Sequence, residues 1–243
     1  MGKEIIVVEN PKSPEAEMFR NLRTNIQFMN TDSEKKVMIV TSTIPGEGKS
    51  YVSANLGAAF AQLDKKVLII DTDMRKGRQY SLFNLKPRPG ISNFLSGVVE
   101  QDFIGDKEDI WNYIQETDVV NLYLIPAGNV PPNPSELLVS PKLQKIIHDL
   151  KQSFDIIIFD APPCLIVADA LIIARLVDFS IIVTAQNITR IENLKRAKLA
   201  IENVGGKIAG VVLNKVQINA KSYETSYYYG EKISNLKPPK QRK

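Results

Sequence analysis

Residues Thr41 to Ser50 read TSTIPGEGKS, and this stretch decides the fold. It follows the apolar run Val37–Val40 and precedes a helix-like stretch, Tyr51 to Leu63. A strand, a glycine-bearing loop ending in Gly-Lys-Ser and a helix together bind nucleoside triphosphates, because loop N–H groups and the positive end of the helix dipole converge on the phosphates. Thr43 stands where the usual pattern has its first glycine, so the match is imperfect when it is taken alone.

The loop supplies the predicted nucleotide-binding residues. In the usual pattern the lysine reaches the β- and γ-phosphates and the hydroxyl binds Mg²⁺, which gives these roles to Lys49 and Ser50. A lysine at a helix N-terminus is disfavoured by the helix dipole, so Lys49 makes sense there only with a bound anion. The predicted nucleotide contacts are Pro45, Gly46, Glu47, Gly48, Lys49, Ser50 and Tyr51.

Composition is that of a globular domain and argues against nucleic-acid binding. Of 243 residues, 44% are hydrophobic and 24% are charged. The net charge of +4 equals the four basic residues of the last seven positions, Lys237, Lys240, Arg242 and Lys243. A DNA-binding protein should also carry basic clusters on an element of its fold. The single cysteine, Cys164, excludes an internal disulfide, and no signal peptide or membrane span is evident.

Apolar runs alternate with helical patterns along the chain. We predict strands at Val37–Val40, Lys66–Ile70, Leu122–Ile125, Ile156–Phe159, Ser180–Thr184 and Ala209–Leu213. Helices are predicted at about Ser50–Leu63, Ser92–Gly97, Ser135–Ser153, Ala168–Leu176 and Arg190–Val204. Strands that are apolar throughout are covered on both faces. The pattern therefore predicts an α/β fold, a doubly wound and mostly parallel sheet of the P-loop NTPase type.

Two flanks lie outside this sheet, which divides the chain into residues 1–33, 34–216 and 217–243. The first flank carries a predicted helix from Pro14 to Met29, with Ser13 as its N-cap. The last flank is polar and has no apolar periodicity, so it is predicted to be a flexible, disordered tail.

Three carboxylates follow predicted strands. Asp71 and Asp73 lie at the end of the predicted strand in VLIIDTDMR, and Asp160 lies at the end of another one, in IIIFD. A single Asp in such a place is more often a turn residue or a helix cap. Three of them in a chain with Gly-Lys-Ser favour a magnesium site, because Mg²⁺ needs only one or two carboxylates besides phosphate oxygens and water. One carboxylate is then left to accept a proton. Arg75 is either a phosphate or interface arginine or an ordinary surface residue.

As a set, TSTIPGEGKS, VLIIDTDMR and IIIFDAPP resemble the Walker A, A′ and B motifs of the bacterial tyrosine kinases (BY-kinases) of capsule and exopolysaccharide loci, which are related to the MinD/ParA ATPases. In that family a small residue or Ser/Thr often replaces the first glycine, so Thr43 fits it. The resemblance implies ATP and Mg²⁺ as ligands. By analogy with related ATPases, Asn214 is predicted to contact the adenine.

Three further segments share this resemblance. PAGNVPPNPSELL, Pro126 to Leu138, resembles the loop that leads into a helix after the central strand. EMFRNLRTN resembles the oligomerisation motif of the family, which gives Glu17, Arg20 and Arg23. The carboxyl-terminal segment resembles its tyrosine cluster, with Tyr223, Tyr227, Tyr228 and Tyr229 as phosphoacceptors. The resemblance implies a homo-oligomeric ring and protein tyrosine substrates. It also implies a cytoplasmic kinase held at the inner face of the membrane by a membrane-anchored adaptor that activates it.

The implied reaction is phosphoryl transfer to tyrosine, in trans between copies, that regulates capsular or exopolysaccharide synthesis and export. Ser50, Asp73 and Asp160 are predicted to hold Mg²⁺, and Lys49, Asp71 and Asp73 to be catalytic, with Asp71 as the base. The roles of Asp71 and Asp73 are interchangeable at this level. The alternative is a MinD/ParA-like ATPase or binding module without kinase activity. Ile44, which stands where those proteins have a signature lysine, and the tyrosine cluster argue against it.

Overall fold

A seven-stranded sheet forms the centre of the computed structural model, which describes residues 5–29, 36–99, 101 and 103–217. Its strands are β1 (Lys36–Ser42), β2 (Val67–Asp71), β3 (Gln115–Glu116), β4 (Leu122–Ile125), β5 (Ile156–Asp160), β6 (Phe179–Ala185) and β7 (Ile208–Asn214). They lie in the order β3-β4-β2-β5-β1-β6-β7. All neighbours are parallel except β3, which pairs with β4 in the antiparallel sense. The six predicted strands are confirmed, and the short β3 was not predicted.

Helices cover both faces of the sheet. They are α1 (Ile6–Glu9), α2 (Pro14–Gln27), α3 (Lys49–Ala61), α4 (Gln79–Leu82), α5 (Ile91–Ser96), α6 (Pro134–Val139), α7 (Pro141–Ser153), α8 (Asp169–Ala174) and α9 (Ile191–Asn203). One core cluster joins the first four helices to one face of the central strands. A second joins the last five helices to the opposite face. Every residue of β1, β2, β5 and β6 is buried between these layers, which confirms the doubly wound α/β fold.

One predicted helix was wrong. The apolar pattern from Ser135 to Ser153 suggested a single helix, but the structure has α6 and α7 with a break at Ser140, whose ψ of 143° is extended. Pro141 causes the break, because its ring excludes the helical conformation for the preceding residue and it has no N–H to donate. The short α1 and α4 and a 3₁₀ turn at Ile110–Tyr113 were also not predicted.

The amino-terminal helix α2 packs on the helix that follows the phosphate-binding loop. It begins where the sequence predicts, with the Ser13 hydroxyl accepting a hydrogen bond from the Ala16 N–H and Pro14 in the first turn. Phe19 meets Tyr51 of α3 edge-on, with ring centroids 5.7 Å apart. The first flank therefore shares the core of the domain, and the predicted boundary near residue 34 falls in residues 30–35, outside the described structure.

Strand register brings the candidate site together. Strand β5 lies between β1 and β2, and Asp71 pairs with Asp160 at the ends of their strands. Because parallel strands all end at one edge of the sheet, the loops after β1, β2 and β5 meet there. No helix within the described ranges is long and apolar enough to cross a membrane.

Phe19 and Phe28 offer a matched test of this packing. Phe19 is 9% exposed and Phe28, just past the end of the same helix, is 82% exposed. We expect Phe19→Ala to lower the free energy of unfolding by about 3 kcal/mol or more, because it leaves a cavity against α3. Phe28→Ala should stay within about 0.5 kcal/mol of the wild type. Urea unfolding followed by circular dichroism measures both, and equal losses would contradict the packing described here.

Candidate active site

The loop between β1 and α3 depends on two glycines with positive φ. Gly46 has φ of 85° and Gly48 has φ of 95°, a left-handed conformation that glycine adopts without strain. Gly48 is also tightly enclosed, since a Cβ there would lie 2.1 Å from the side-chain nitrogen of Asn214. Asn214 ends β7, and its amide donates a hydrogen bond to the Glu47 carbonyl over 2.9 Å. The predicted contact of Asn214 with adenine stays a prediction.

The side chain of Glu47 holds the loop from its buried side. Its carboxylate is fully buried and accepts hydrogen bonds from the Thr43 N–H (2.6 Å), the Ile44 N–H (3.0 Å) and the Thr43 hydroxyl (2.9 Å). The Thr189 hydroxyl donates to the same carboxylate and accepts from the Ala185 N–H. The side chain of Glu47 ties the loop to the turn after β6, so only its backbone is free for the predicted contact with a nucleotide. That contact stays a prediction.

Lys49 and Asp73 form an ion pair at the floor of the site. The Lys49 Nζ lies 2.9 Å from the Asp73 Oδ2 and 3.2 Å from the Ser50 Oγ. Burial lowers the pKa of Lys49, but the charges of Asp160 and Asp73 outweigh it, so the pKa of this ammonium is raised overall. Lys49 is therefore held in its charged form, as phosphate binding requires.

Asp71 lies beneath this pair in an electrostatically costly position. It is fully buried, and its two oxygens accept from the Gln79 and Asp73 N–H groups over 3.0 and 3.1 Å. Burial, followed by repulsion from Asp160, raises the pKa of Asp71 to about 8. A carboxyl group with a pKa near neutrality is suited to accept a proton.

Asp160 is fixed by neutral donors. One of its oxygens accepts from the Ser53 hydroxyl (3.2 Å) and the other from the Gln79 side-chain amide (2.8 Å). The same amide nitrogen donates to the Ser50 carbonyl, whereas the Gln79 Oε1 is buried without a hydrogen-bond partner among the described residues. An orphaned oxygen beside a carboxylate suits a bound water molecule.

These residues fit a magnesium ion held mainly by a nucleotide. Among the described residues, no group of three or more His, Cys, Asp or Glu side chains surrounds a single metal position. Mg²⁺ bound with a nucleoside triphosphate does not need such a cage, because phosphates and waters supply most of its ligands. Ser50 and Asp73 offer hard oxygen atoms at the cavity, and Asp160 lies behind them, which suits contact through water.

A cavity of about 560 Å³ opens above this floor. Seven of the predicted residues line it: Pro45, Gly46, Gly48, Lys49, Ser50, Tyr51 and Asp73. The remaining predicted residues of the site, Glu47, Asp71, Asp160 and Asn214, are not among its lining residues and support it from behind. The space is sufficient for a bound small molecule of moderate size.

Arg75 also lines the cavity, and a buried partner fixes it there. Its guanidinium pairs with the carboxylate of Asp169, which is fully buried and also accepts a hydrogen bond from the Ser135 hydroxyl. The sequence left open whether Arg75 is a phosphate or interface arginine or an ordinary surface residue. Its place in the cavity lining favours the first interpretation. Asp169 was not predicted, although a lone carboxylate inside an apolar run could have drawn attention to it. Gln79 and Thr189 carry no sequence signal that could have revealed them.

The predicted oligomerisation residues lie on α2. Glu17 and Arg20 form an ion pair of 2.8 Å within the helix, and the Arg23 guanidinium donates to the Ala59 carbonyl of α3 over 3.1 Å. Glu17 and Arg20 keep about a third and a quarter of their side-chain surface exposed. The predicted phosphoacceptors Tyr223, Tyr227, Tyr228 and Tyr229 lie outside the described residues.

Comparison with known sequences assigns the site to a nucleotide-binding family. A family described as an AAA domain matches residues 35–208. CapB of Staphylococcus aureus is 39% identical over 227 residues, which cover 93% of this chain and 95% of that protein. The tyrosine-protein kinase YwqD of Bacillus subtilis is 35% identical, with 94% of this chain and 92% of that protein covered.

Solved structures of similar proteins agree with these sequence relatives. The chimerical protein CapA2B2 superposes with a TM-score of 0.80 and 35% identity, covering 88% of this chain and 91% of that one. The kinase domain of the Escherichia coli tyrosine kinase ETK superposes with a TM-score of 0.78 and 30% sequence identity. The match covers 88% of this chain and 82% of that one. MinD of Pyrococcus horikoshii, complexed with Mg-ADP, superposes with a TM-score of 0.61 and 22% sequence identity. The match covers 79% of this chain and 76% of that one, which shows a shared fold.

Asp71→Asn tests the buried repulsion. A folded-state pKa of about 8 lies above the ordinary value of 3.8, so the folded protein binds this proton more tightly than the unfolded chain does. Its contribution to stability is complete below about pH 4 and is lost as the pH rises through about 8. At pH 8.5 in EDTA, we expect the free energy of unfolding of Asp71→Asn to exceed that of the wild type by about 2 kcal/mol. The reason is that the variant no longer carries a buried negative charge beside Asp160.

Urea unfolding at pH 5 and pH 8.5, without nucleotide, measures this difference. The advantage of Asp71→Asn should grow between the two pH values, whereas Asp118→Asn, at an exposed aspartate, should behave as the wild type at both. A difference that does not grow with pH would show that Asp71 carries no repelled charge.

Glu47→Ala tests the support beneath the loop. It leaves the N–H groups of Thr43 and Ile44 without a partner from this side chain, and each such buried group costs about 1–3 kcal/mol. We expect at least tenfold weaker ATP binding, measured by titration with a fluorescent nucleotide, together with a lower melting temperature. Glu192→Ala, at an exposed site on α9, is the control. Unchanged nucleotide affinity in Glu47→Ala would refute the supporting role.

Proposed function

Because the chain belongs to the bacterial tyrosine-kinase (BY-kinase) family, we propose that it uses ATP and Mg²⁺ to phosphorylate the tyrosine cluster of a neighbouring copy of itself. The chain is a protein tyrosine kinase by its relatives and its fold. One observation of the site carries the proposal beyond nucleotide binding. A lysine, a cavity-facing carboxylate and a buried carboxylate with a pKa of about 8 lie together at the edge of the sheet.

In the proposed step, a tyrosine hydroxyl oxygen attacks the γ-phosphorus of ATP. The bond from that phosphorus to the β–γ bridging oxygen breaks, and ADP leaves. The phenolic proton passes through a water molecule to the ionised form of Asp71, which lies behind the cavity. The Lys49 ammonium neutralises charge on the β- and γ-phosphates, and the loop N–H groups bind their oxygens. A phenol has an ordinary pKa of about 10, so a nearby base favours its attack.

Asp73 has to change partner for this step. It is paired with Lys49 in the structure described here, and a bound γ-phosphate would compete for the same ammonium. Asp73 and Ser50 would then hold the magnesium ion directly, with Asp160 behind them through water. Mg²⁺, when bound, supplies further neutralisation of the phosphate charge.

Assembly and location follow from the same proposal. The exposed fractions of Glu17 and Arg20 leave both able to exchange their mutual pair for a neighbouring copy in a ring, with Arg23 joining them to α3. The chimerical protein CapA2B2, which superposes over most of the chain, supports a partner that acts as adaptor. We place the kinase in the cytoplasm at the inner face of the membrane through that partner, where it regulates capsular or exopolysaccharide synthesis and export.

Two complementary variants test transfer between copies. Lys49→Met should be unable to donate phosphate, and a chain with Tyr223, Tyr227, Tyr228 and Tyr229 changed to Phe should be unable to accept it. We expect neither to label itself with [γ-³²P]ATP to more than about a tenth of the wild-type level, because removing transition-state contacts or acceptors costs at least that factor. When the two are mixed, label should appear on the Lys49→Met chain.

The readout is phosphotyrosine on chains that carry tags of different size. ATP binding by the four-Phe variant should equal that of the wild type, which shows that its site is intact. Full self-labelling of the four-Phe variant would refute the cluster as acceptor. Label that never reaches the Lys49→Met chain in the mixture would refute transfer in trans.

A further inference from the structure

The segment that connects β2 to α4 presents three basic residues at the mouth of the cavity. Arg75, Lys76 and Arg78 are all exposed, and all three line the cavity above the phosphate-binding loop. The residues on either side of them, Met74 and Gln79, are buried. The segment therefore turns its basic side chains outward while its ends are fixed in the core.

The backbone of this segment is held by the catalytic carboxylates. The Lys76 N–H donates to the Asp73 carboxylate over 3.0 Å, and the Gln79 N–H donates to Asp71 over 3.0 Å. Gly77 packs so closely that a Cβ there would lie 2.7 Å from the Ala127 Cβ and 2.8 Å from an Asp71 oxygen. The basic side chains thus start from a backbone that is fixed relative to the reacting groups.

Only some of the cationic residues that line the cavity pair with a carboxylate among the described residues. Its lining residues include five cations, Lys49, Arg75, Lys76, Arg78 and Lys215, and one carboxylate, Asp73. Lys49 pairs with Asp73, and Arg75 with Asp169. Within the described ranges, the side chains of Lys76 and Arg78 form no ion pair or hydrogen bond. A bound polyphosphate would neutralise Lys49, which leaves Lys76, Arg78 and Lys215 for other anions; Lys76 and Arg78 lie in the same segment.

We propose that Lys76 and Arg78 form an acceptor subsite that binds an anionic side chain beside the tyrosine to be phosphorylated. This subsite rests on the proposed function of the cavity as a protein-tyrosine kinase site. Two neighbouring cations on a fixed backbone attract carboxylates and phosphates, and they steer an acidic polypeptide towards the cavity. The ligand is a carboxylate from Glu or Asp, or the phosphate of a tyrosine that is already modified.

The proposed acceptor cluster carries carboxylates close to its tyrosines, although Lys221 and Lys232 leave the segment 221–232 without net charge before phosphorylation. Glu224 directly follows Tyr223, and Glu231 lies two positions after Tyr229. Each phosphorylated tyrosine would add about −1.5 to −2 charges next to the remaining acceptors. The subsite would therefore bind a partly phosphorylated cluster more tightly than an unmodified one, which favours successive modification of the same chain.

Steady-state kinetics with soluble acceptors test the subsite. The enzyme is the full chain with its four cluster tyrosines changed to Phe, so that it does not label itself. The first acceptor is a random Glu–Tyr copolymer. We expect K76Q/R78Q to raise the KM for this copolymer about five- to tenfold, as the loss of two exposed ion pairs implies, with kcat within about twofold of the parent. The control K145Q/K195Q removes two exposed lysines from α7 and α9 and should leave the KM unchanged.

Nucleotide affinity and melting temperature of K76Q/R78Q should match those of the parent, which separates a lost subsite from a damaged fold. A KM for the copolymer that does not change would overturn the subsite. So would an equal loss in K145Q/K195Q, because it would indicate a general effect of surface charge.

A second set of acceptors identifies the anion. Peptides of residues 219–233 are compared as the natural sequence, with E224Q/E231Q, and with phosphotyrosine at position 229. A rise in KM for E224Q/E231Q that disappears in the K76Q/R78Q enzyme supports carboxylate recognition. A fall in KM for the phosphopeptide that needs Lys76 and Arg78 supports phosphate recognition. If the copolymer is phosphorylated and no peptide is, the cluster is not the acceptor, while the copolymer result still decides the subsite.

Discussion

The parallel pairing of β5 with both β1 and β2 is the constraint on which the rest of the site depends. This pairing brings the ends of three buried strands to one edge of the sheet, so that Asp71, Asp160 and the phosphate-binding loop become neighbours although they are far apart in the chain. A shift of one residue in β5 would move Asp160 to the opposite face of the sheet. The apolar residues of β5, which are buried on both faces, therefore fix the position of the polar site at the end of their strand.

Side chains behind the cavity hold the phosphate-binding loop in place through hydrogen bonds. The Glu47 carboxylate accepts hydrogen bonds from the backbone N–H and the hydroxyl of Thr43, which stands at the position of the usual first glycine. Thr43 is therefore compatible with the fold of the loop because Glu47 is its partner. Asn214 and Thr189 extend this support to two further strands, so the loop is held from several sides without a ligand. A loop that is ordered beforehand loses little conformational entropy when a nucleotide binds.

The sheet and the front of the site could be predicted from sequence because short-range patterns determine them. Apolar runs located six strands, and Gly-Lys-Ser with Asp73 named residues that line the cavity. The break at Pro141 was missed because helical periodicity continues on both sides of it. Gln79 and Thr189 could not be found, since their roles depend on contacts between residues 81 and 142 positions apart. Asp169 stood out as a carboxylate inside an apolar run, but its partner Arg75 lies 94 positions away. Only the folded sheet brings such partners together.

The ion pair between Lys49 and Asp73 would couple the two binding events of the proposed function. Under the proposed function, a triphosphate that binds Lys49 would release Asp73 for a metal ion, and a metal ion that binds Asp73 would release Lys49 for the triphosphate. By thermodynamic linkage each ligand then raises the affinity for the other by the same factor. The resting pair thus acts as a mutual competitor that disfavours half-loaded states. The carboxylate and the ammonium would become available to their ligands together, which would disfavour an active site that holds only one of them.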